Sequence, residues 1–438
     1  MIELLQIILI FFIFCLTITV PINVFNSKLF AKKNRFNLDI ASFNLLLNCN
    51  VLLLLSIIPV ALSSYNFIYI LICLLIFIYT YLYKNFELEK YKTGFEALLI
   101  LFIIFFIISV SVATELKFGW DAKYFYYIKA LFFVEDQILY DIKRFIFGTW
   151  HPHLGSYYWA FFWNLMSVQS EYFGRLFYVF VLIFSLFYLC HDGLKDKFRN
   201  TIIFILLILL FYNYERFSGL QEVLIFSFLA ILSKYFSKLK ILEKKYFIFF
   251  IILGCNLIIW LKVEGIIYSS ILILLLNFTK QIPNKHKIHS SIFFICLVIF
   301  KIIIYQFFNE KTNFLVEASG HPYYLEYIYN LNIDLILNKL KFIIPYLVYY
   351  SLNNVFFISG ILILIMLNFK KNSDDYIKII NSYFILNIIF IFTAYIFRDM
   401  EVEYSIKSTM ERVVFTSSGF FVFLVIDFFK NLKKNLNK

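Results

Sequence analysis

The sequence predicts an all-α protein: a polytopic bundle of about 13 transmembrane helices with interfacial helices in its first large outer loop. Three observations predict it. Hydrophobic residues make up 62% of the 438 positions and aromatic ones 22%, with a mean hydropathy of +0.81; soluble domains lie near 45–50% apolar. Runs of about 20 apolar residues, each long enough to cross a bilayer core, recur along the chain. The charges between those runs fall alternately into basic and acidic loops, as the positive-inside rule requires. A transmembrane β-barrel would instead show segments of about 10 residues with alternating hydrophobicity.

The runs place spans near 2–25, 43–64, 65–83, 95–115, 172–190, 200–217, 220–236, 246–260, 266–278, 288–308, 351–369, 378–397 and 412–429. The first is too long, and lacks the small-residue cleavage site, for a removed signal peptide, so it is expected to remain as a helix. Two further stretches, 154–168 and 335–350, suit partial, re-entrant or interfacial elements. Basic loops around Lys32, Lys90, Lys195, Lys240, Lys285 and Lys370 are expected on the cytoplasmic side, and the acidic loops on the other. The net charge of +12 is thereby assigned to topology, and no nucleic-acid partner is expected. Six cysteines lie in or beside apolar runs without a CxxC spacing and read as small hydrophobes. The excess of Phe, Ile, Tyr, Asn and Lys fits an AT-rich genome.

Function is sought where ionisable groups interrupt the apolar pattern, because lipid cannot solvate them. The outer loop 116–153 carries Asp121 near its start and His151-Pro152-His153 at its end. Asp121 is either the N-cap of an interfacial helix or a general base held just above the membrane. His151 and His153 are wet interface residues or contacts to substrate or phosphate; no carboxylate stands at a metal-ligand spacing from them. The turn YNYERFSGLQE, 212–222, offers Glu215 and Glu222, as surface pairs with Arg216 or as a second acid beside Asp121. Lys262 and Glu264, in WLKVEG, sit inside a long apolar run from Tyr246 to Phe278. Unpaired, each would cost roughly 2.5–3.5 kcal/mol in a membrane, so a helix break ending at Gly265 is expected there, with free N–H groups suited to phosphate. The polar stretch 398–412 brings Arg398 and Arg412, whose forked guanidinium suits a lipid phosphate. His321, on the loop before 335, has no supporting partner at a fixed spacing.

Together GWDA and YYIKA, WHPHLGSYYWAFFW, KVEG and MERVVFTSSGFFVF resemble the C-type glycosyltransferase superfold, in the bacterial branch similar to protein mannosyltransferases and the aminoarabinose transferase. The resemblance covers roughly 95–280 and the final helix, and divides the chain into N-terminal helices, 1–94, and a glycosyltransferase-like domain, 95–438. Trp120 stands where many members carry a second acid, HPHL replaces a Pro-Pro-Leu entry, and Val263 replaces a polar residue. The resemblance implies a polyprenyl-phosphate sugar donor, an envelope glycan, lipid or protein acceptor, and action on the outer face of a bacterial cytoplasmic membrane. It makes Asp121 the catalytic base and Lys262 and Arg412 the phosphate partners, with His151, His153, Glu215, Glu222, Glu264 and Arg398 lining substrate. No cofactor or required metal is expected. Rival readings are an envelope polysaccharide polymerase or ligase, which would rely on Arg or His in a large late outer loop, and a lipid-linked sugar transporter or flippase, which would show paired broken helices.

Overall fold

A computed structural model describes residues 2–19, 38–83, 88–114, 117–144, 152–166, 169–191, 197–211, 214–240, 242–308, 333–369, 375–397 and 402–430. His151, His321 and Arg398 lie outside them, as do the cytoplasm-assigned Lys32, Lys195 and Lys370. The described residues form helices and connecting turns, without strands. They are α1 Ile2–Thr19, α2 Leu38–Ile57, α3 Asn66–Tyr83, α4 Leu88–Thr114, α5 Ile128–Val134, α6 Leu154–Met166, α7 Tyr172–Cys190 and α8 Lys197–Phe211. There follow α9 Glu222–Ser237, α10 Lys244–Leu261, α11 Gly265–Phe278, α12 Asn284–Phe308, α13 Ile333–Asn353, α14 Val355–Phe369, α15 Asp375–Ile396 and α16 Val402–Lys430. Among the described residues nine helical stretches are long and apolar enough to cross a membrane, and four shorter apolar helices accompany them. This marks a multi-pass membrane protein. The chain divides into two compact units, Met1–Ser227 and Phe228–Lys438, with the boundary inside α9.

In the first unit every residue of α7 is buried. Helices in lipid gain little from the hydrophobic effect and associate through close packing and interhelical hydrogen bonds. With only 12 glycines, this chain has few small residues for backbone approach and packs aromatic rings instead. Phe162 stacks on Phe177 at 4.5 Å and meets Phe14 edge-on at 4.8 Å. Side-chain amides and phenols tie the helices together: Asn44 and Asn48 of α2 donate to the Ile18 and Thr17 carbonyls of α1, and Tyr158 of α6 donates to the Cys49 carbonyl. The helix α6 is about 20 Å long, short of a bilayer core, and its residues Leu154–Trp163 are buried.

In the second unit, α10 and α11 are an antiparallel hairpin. Ser269 Oγ donates to the Cys255 carbonyl across it at 3.0 Å. The helix α15 runs antiparallel to α16, with Tyr395 bonded to Thr409 and Tyr383 to the Ser417 carbonyl. Both α13 and α14 run alongside α16 in its own direction: Tyr346 donates to Glu403, Asn354 to Ser418, and Phe357 packs on Phe421. They are one helical path broken at Asn354, whose carboxamide oxygen accepts the Phe357 N–H and so caps α14. The stretch expected to be a partial element at 335–350 is thus a full 21-residue helix. The last helix starts at Val402, so 402–411 is helical and not loop.

Candidate functional site

The segment Lys117–Arg144 holds no helix long and apolar enough to cross a membrane; it lies between α4 and α6 in the first unit. A helical turn begins at Trp120 and widens to a π-helical turn over Ala122–Tyr127 before α5. Such widened turns are rare and recur at functional sites. Asp121 has ordinary helical angles, φ −62° and ψ −36°, and makes no capping hydrogen bond, which disposes of the N-cap reading. It stays half-buried. Trp120 is 64% exposed, and Tyr124 and Ile128 continue one exposed stripe at helical spacing; Ala122, Tyr126, Lys129 and Phe133 form the buried face. Aromatic residues on such a stripe suit headgroup depth.

What holds this segment is Arg175, in the first turn of α7 and 0% exposed. Its Nη2 and Nε donate to both carboxylate oxygens of Glu171, at 2.7 and 3.1 Å. Its Nη1 donates to the Phe217 carbonyl at 3.1 Å and reaches the Lys117 carbonyl at 3.5 Å. The guanidinium also lies 5.0 Å from the Phe118 ring centroid and 5.9 Å from that of Trp159. One cation thus fastens the strand leading to Asp121 and the turn leading to Glu222. Burial raises the Glu171 carboxyl above its ordinary range, and Arg175 opposes the rise. Tyr127, stacked between Phe118 and Trp163, is also raised, first by burial and then by Glu171.

The acid-bearing turn packs directly on this strand. The Gly119 N–H donates to the Ser218 carbonyl at 3.1 Å. At Gly219 the backbone has φ +88°, and a Cβ there would stand 2.6 Å from the Trp159 ring and 3.1 Å from the Ala122 Cβ. Glycine is required on both counts. Glu222 opens α9 and is 3% exposed. The backbone of Glu215 lies in the short helical turn Tyr214–Phe217, and its side chain is outside the described residues. The structure therefore brings Asp121 and the Glu222 turn together in one unit. His153 is fully buried, with Nε2 2.8 Å from Ser56 Oγ and its carbonyl accepting the Tyr157 N–H at the start of α6. That geometry supports α6 and leaves its ring away from open solvent.

Lys129 is the buried cation of α5, 1% exposed, and burial pushes its ammonium down to about 7 from an ordinary 10.5. Between those values the unfolded chain holds a proton that the folded chain lacks, so stability rises with pH from about 7 to 10.5 and the full cost of burial is felt below 7. Lys129→Met should therefore stabilise the protein at pH 6 by on the order of a few kcal/mol, read as a raised thermal midpoint, and flatten that rise. A variant midpoint that climbs with pH as the wild type does would refute this.

In the second unit, KVEG is the hairpin turn between α10 and α11. Lys262 ends α10 in an extended conformation, and Glu264 precedes Gly265, the first residue of α11. A Cβ on Gly265 would stand 1.9 Å from the Ile258 carbonyl oxygen. Gly265→Ala should force the hairpin apart and cost about 1–3 kcal/mol, read as a lowered unfolding midpoint. The break removes Lys262 and Glu264 from a continuous apolar helix, as their membrane cost demanded. Lys301 of α12 is fully buried beneath it: Nζ donates to the Ile259 carbonyl at 2.6 Å, one of the four carbonyls a helix end leaves unsatisfied, and Glu264 lies within Coulombic reach. One turn into α11, Tyr268 donates to the Val413 carbonyl at 3.3 Å. That bond sets the first turn of α11 against α16 one residue past Arg412. Arg412 is half-buried and donates to the Ser408 carbonyl at 3.1 Å, some ten residues inside α16 and not at its mouth.

No protein-family model, curated protein or solved structure matches this chain.

The residues themselves carry the chemistry. A half-buried carboxylate beside an aromatic stripe can accept a proton from a hydroxyl delivered at the membrane surface. Lys262 on its turn and the Arg412 guanidinium on α16 are each cations able to hold an anion. Among the described residues no three His, Cys, Asp or Glu side chains gather as a metal site. Sequence reasoning passed over Glu171, Arg175, Lys129 and Lys301. For Lys301 the signal was present, a lone cation inside an apolar run.

Proposed function

We propose that this protein is an integral-membrane glycosyltransferase of about 13 crossings, moving a sugar from a polyprenyl-phosphate donor to a glycan, lipid or protein acceptor on the non-cytoplasmic face of the bacterial cytoplasmic membrane. The observation that carries the reading is Asp121: a carboxylate half-buried on an aromatic segment that Arg175 holds in place. Asp121 takes the proton of the acceptor hydroxyl. The acceptor oxygen forms its bond to the anomeric carbon, and the bond from that carbon to the phosphate oxygen breaks with its electron pair. Lys262 and Arg412 are assigned to the phosphate that leaves. His151, Glu215, Glu222, Glu264 and Arg398 are assigned to substrate contact, and His153 to supporting α6. The count of about 13 takes α13 and α14, which share the direction of α16, as a single crossing. The test is a product assay. Purified protein in lipid, given a panel of polyprenyl-phosphate sugars with crude membrane acceptors, should release polyprenyl phosphate; silence across the panel would overturn the reading.

A further inference from the structure

We propose that one end of the second unit, where α10, α12 and α15 begin and α11 ends, is a docking surface for the headgroups of anionic phospholipids. The inference concerns the end opposite KVEG and does not depend on the reaction. Asp375, the first residue of α15, gathers this end. Lys240, before α10, lies 3.4 Å from its carboxylate, Lys378 lies 3.9 Å away, and Gln281, after α11, donates to it. Asn277 near the end of α11 donates to Ser291 of α12 at 3.1 Å. Two loops and the first turns of three helices thus form one rim, studded with Lys238, Lys240, Lys245, Lys280, Lys285 and Lys287. Two acids on it, Glu243 and Asp375, are already engaged by Lys245 and by Lys240 and Lys378.

Two features point to an anionic lipid. First, neither α10 nor α12 has an acid in its first turn. Lysines occupy those turns instead, against the positive end of the helix dipole. A phosphate-bearing partner offsets that cost. Second, the rim borders exposed apolar surface: Ile288 and Ile292 are 59% and 55% exposed directly beyond Lys285 and Lys287, Phe249 is 46% exposed beyond Lys245, and Phe278 is 62% exposed before Lys280. Lysines fringing such a band snorkel toward headgroups while acyl chains cover the band. A soluble anion would satisfy the charges and leave the band bare.

The full chain in neutral detergent is titrated with phosphatidylglycerol, phosphatidylcholine or soluble glycerophosphate, and its unfolding midpoint followed. Phosphatidylglycerol alone should stabilise it, and 1 M salt should weaken the effect. A variant carrying Lys245→Gln, Lys280→Gln, Lys285→Gln and Lys287→Gln should keep the wild-type midpoint in phosphatidylcholine and bind phosphatidylglycerol on the order of 100-fold more weakly. The exposed Lys341→Gln, in the same unit but off this rim, should bind like wild type. Equal stabilisation by the two lipids, equal stabilisation by glycerophosphate, or an unchanged affinity in the four-site variant would each overturn the proposal.

Discussion

Asp121→Asn should leave a folded protein whose sugar transfer falls by about 10²–10⁴-fold, the usual loss when a general base is removed. The amide keeps the size of the side chain and removes only its charge. The expected result is therefore an unchanged unfolding midpoint with donor binding retained and release of polyprenyl phosphate nearly abolished. Asp121→Glu should recover part of the rate, because it restores a base at a displaced position. Wild-type turnover in Asp121→Asn would remove this residue from the mechanism. A collapsed midpoint would instead make it a structural group. The widened turn sharpens the argument: a π-turn is less favourable than an α-turn and persists only where its surroundings over-determine it. Here the surroundings are the Gly119–Ser218 bond on one side and the buried face of Ala122, Tyr126 and Lys129 on the other.

The helices themselves were legible in the sequence because lipid imposes one rule on every span: about 20 apolar residues, with all backbone groups satisfied internally. The same rule exposed the KVEG break, since two charges in a long apolar run demand a turn. It fails where a helix leaves the apolar layer. Residues 402–411 read as loop by polarity, yet they continue α16, supported by the Lys407–Glu403 pair at 2.7 Å and the Tyr395–Thr409 bond. Polarity there reports the neighbours' chemistry and not the backbone. The candidate site was legible only in its acids. Asp121 and Glu222 stand out as charges, and both lie on segments that the structure packs together. Arg175 does not stand out. In sequence it is one cation at the edge of a span, where flanking charges are common. Its role comes from partners at Lys117 and Phe217, far away in the chain, and no local pattern encodes those.

That dependence on distant partners makes Arg175 the residue with the largest expected structural effect. Arg175→Met removes four hydrogen bonds, two of them to Glu171, and leaves the largely buried Glu171 carboxylate without its counter-ion. Breaking one side of a buried pair typically costs about 3–5 kcal/mol. Glu171→Gln should cost nearly as much, because the guanidinium is fully buried and keeps its charge. Replacing both, as Glu171→Leu with Arg175→Met, should cost less than the two single changes added together, since neither charge is then stranded. A double-mutant cycle on the unfolding midpoint in detergent measures this; strictly additive losses would mean the two side chains do not act as a pair. The cycle also separates anchoring from bulk stability. Of the two side chains, it is Arg175 that reaches the Phe217 and Lys117 carbonyls. Limited proteolysis within 117–144 should therefore accelerate in Arg175→Met beyond what its lowered midpoint accounts for, and in the double variant as well. Glu171→Gln, which keeps those two bonds, should be cut more slowly than either. If all three were cut in step with their stabilities, the guanidinium would be part of the helix bundle and not the fastening of the strand that carries Asp121.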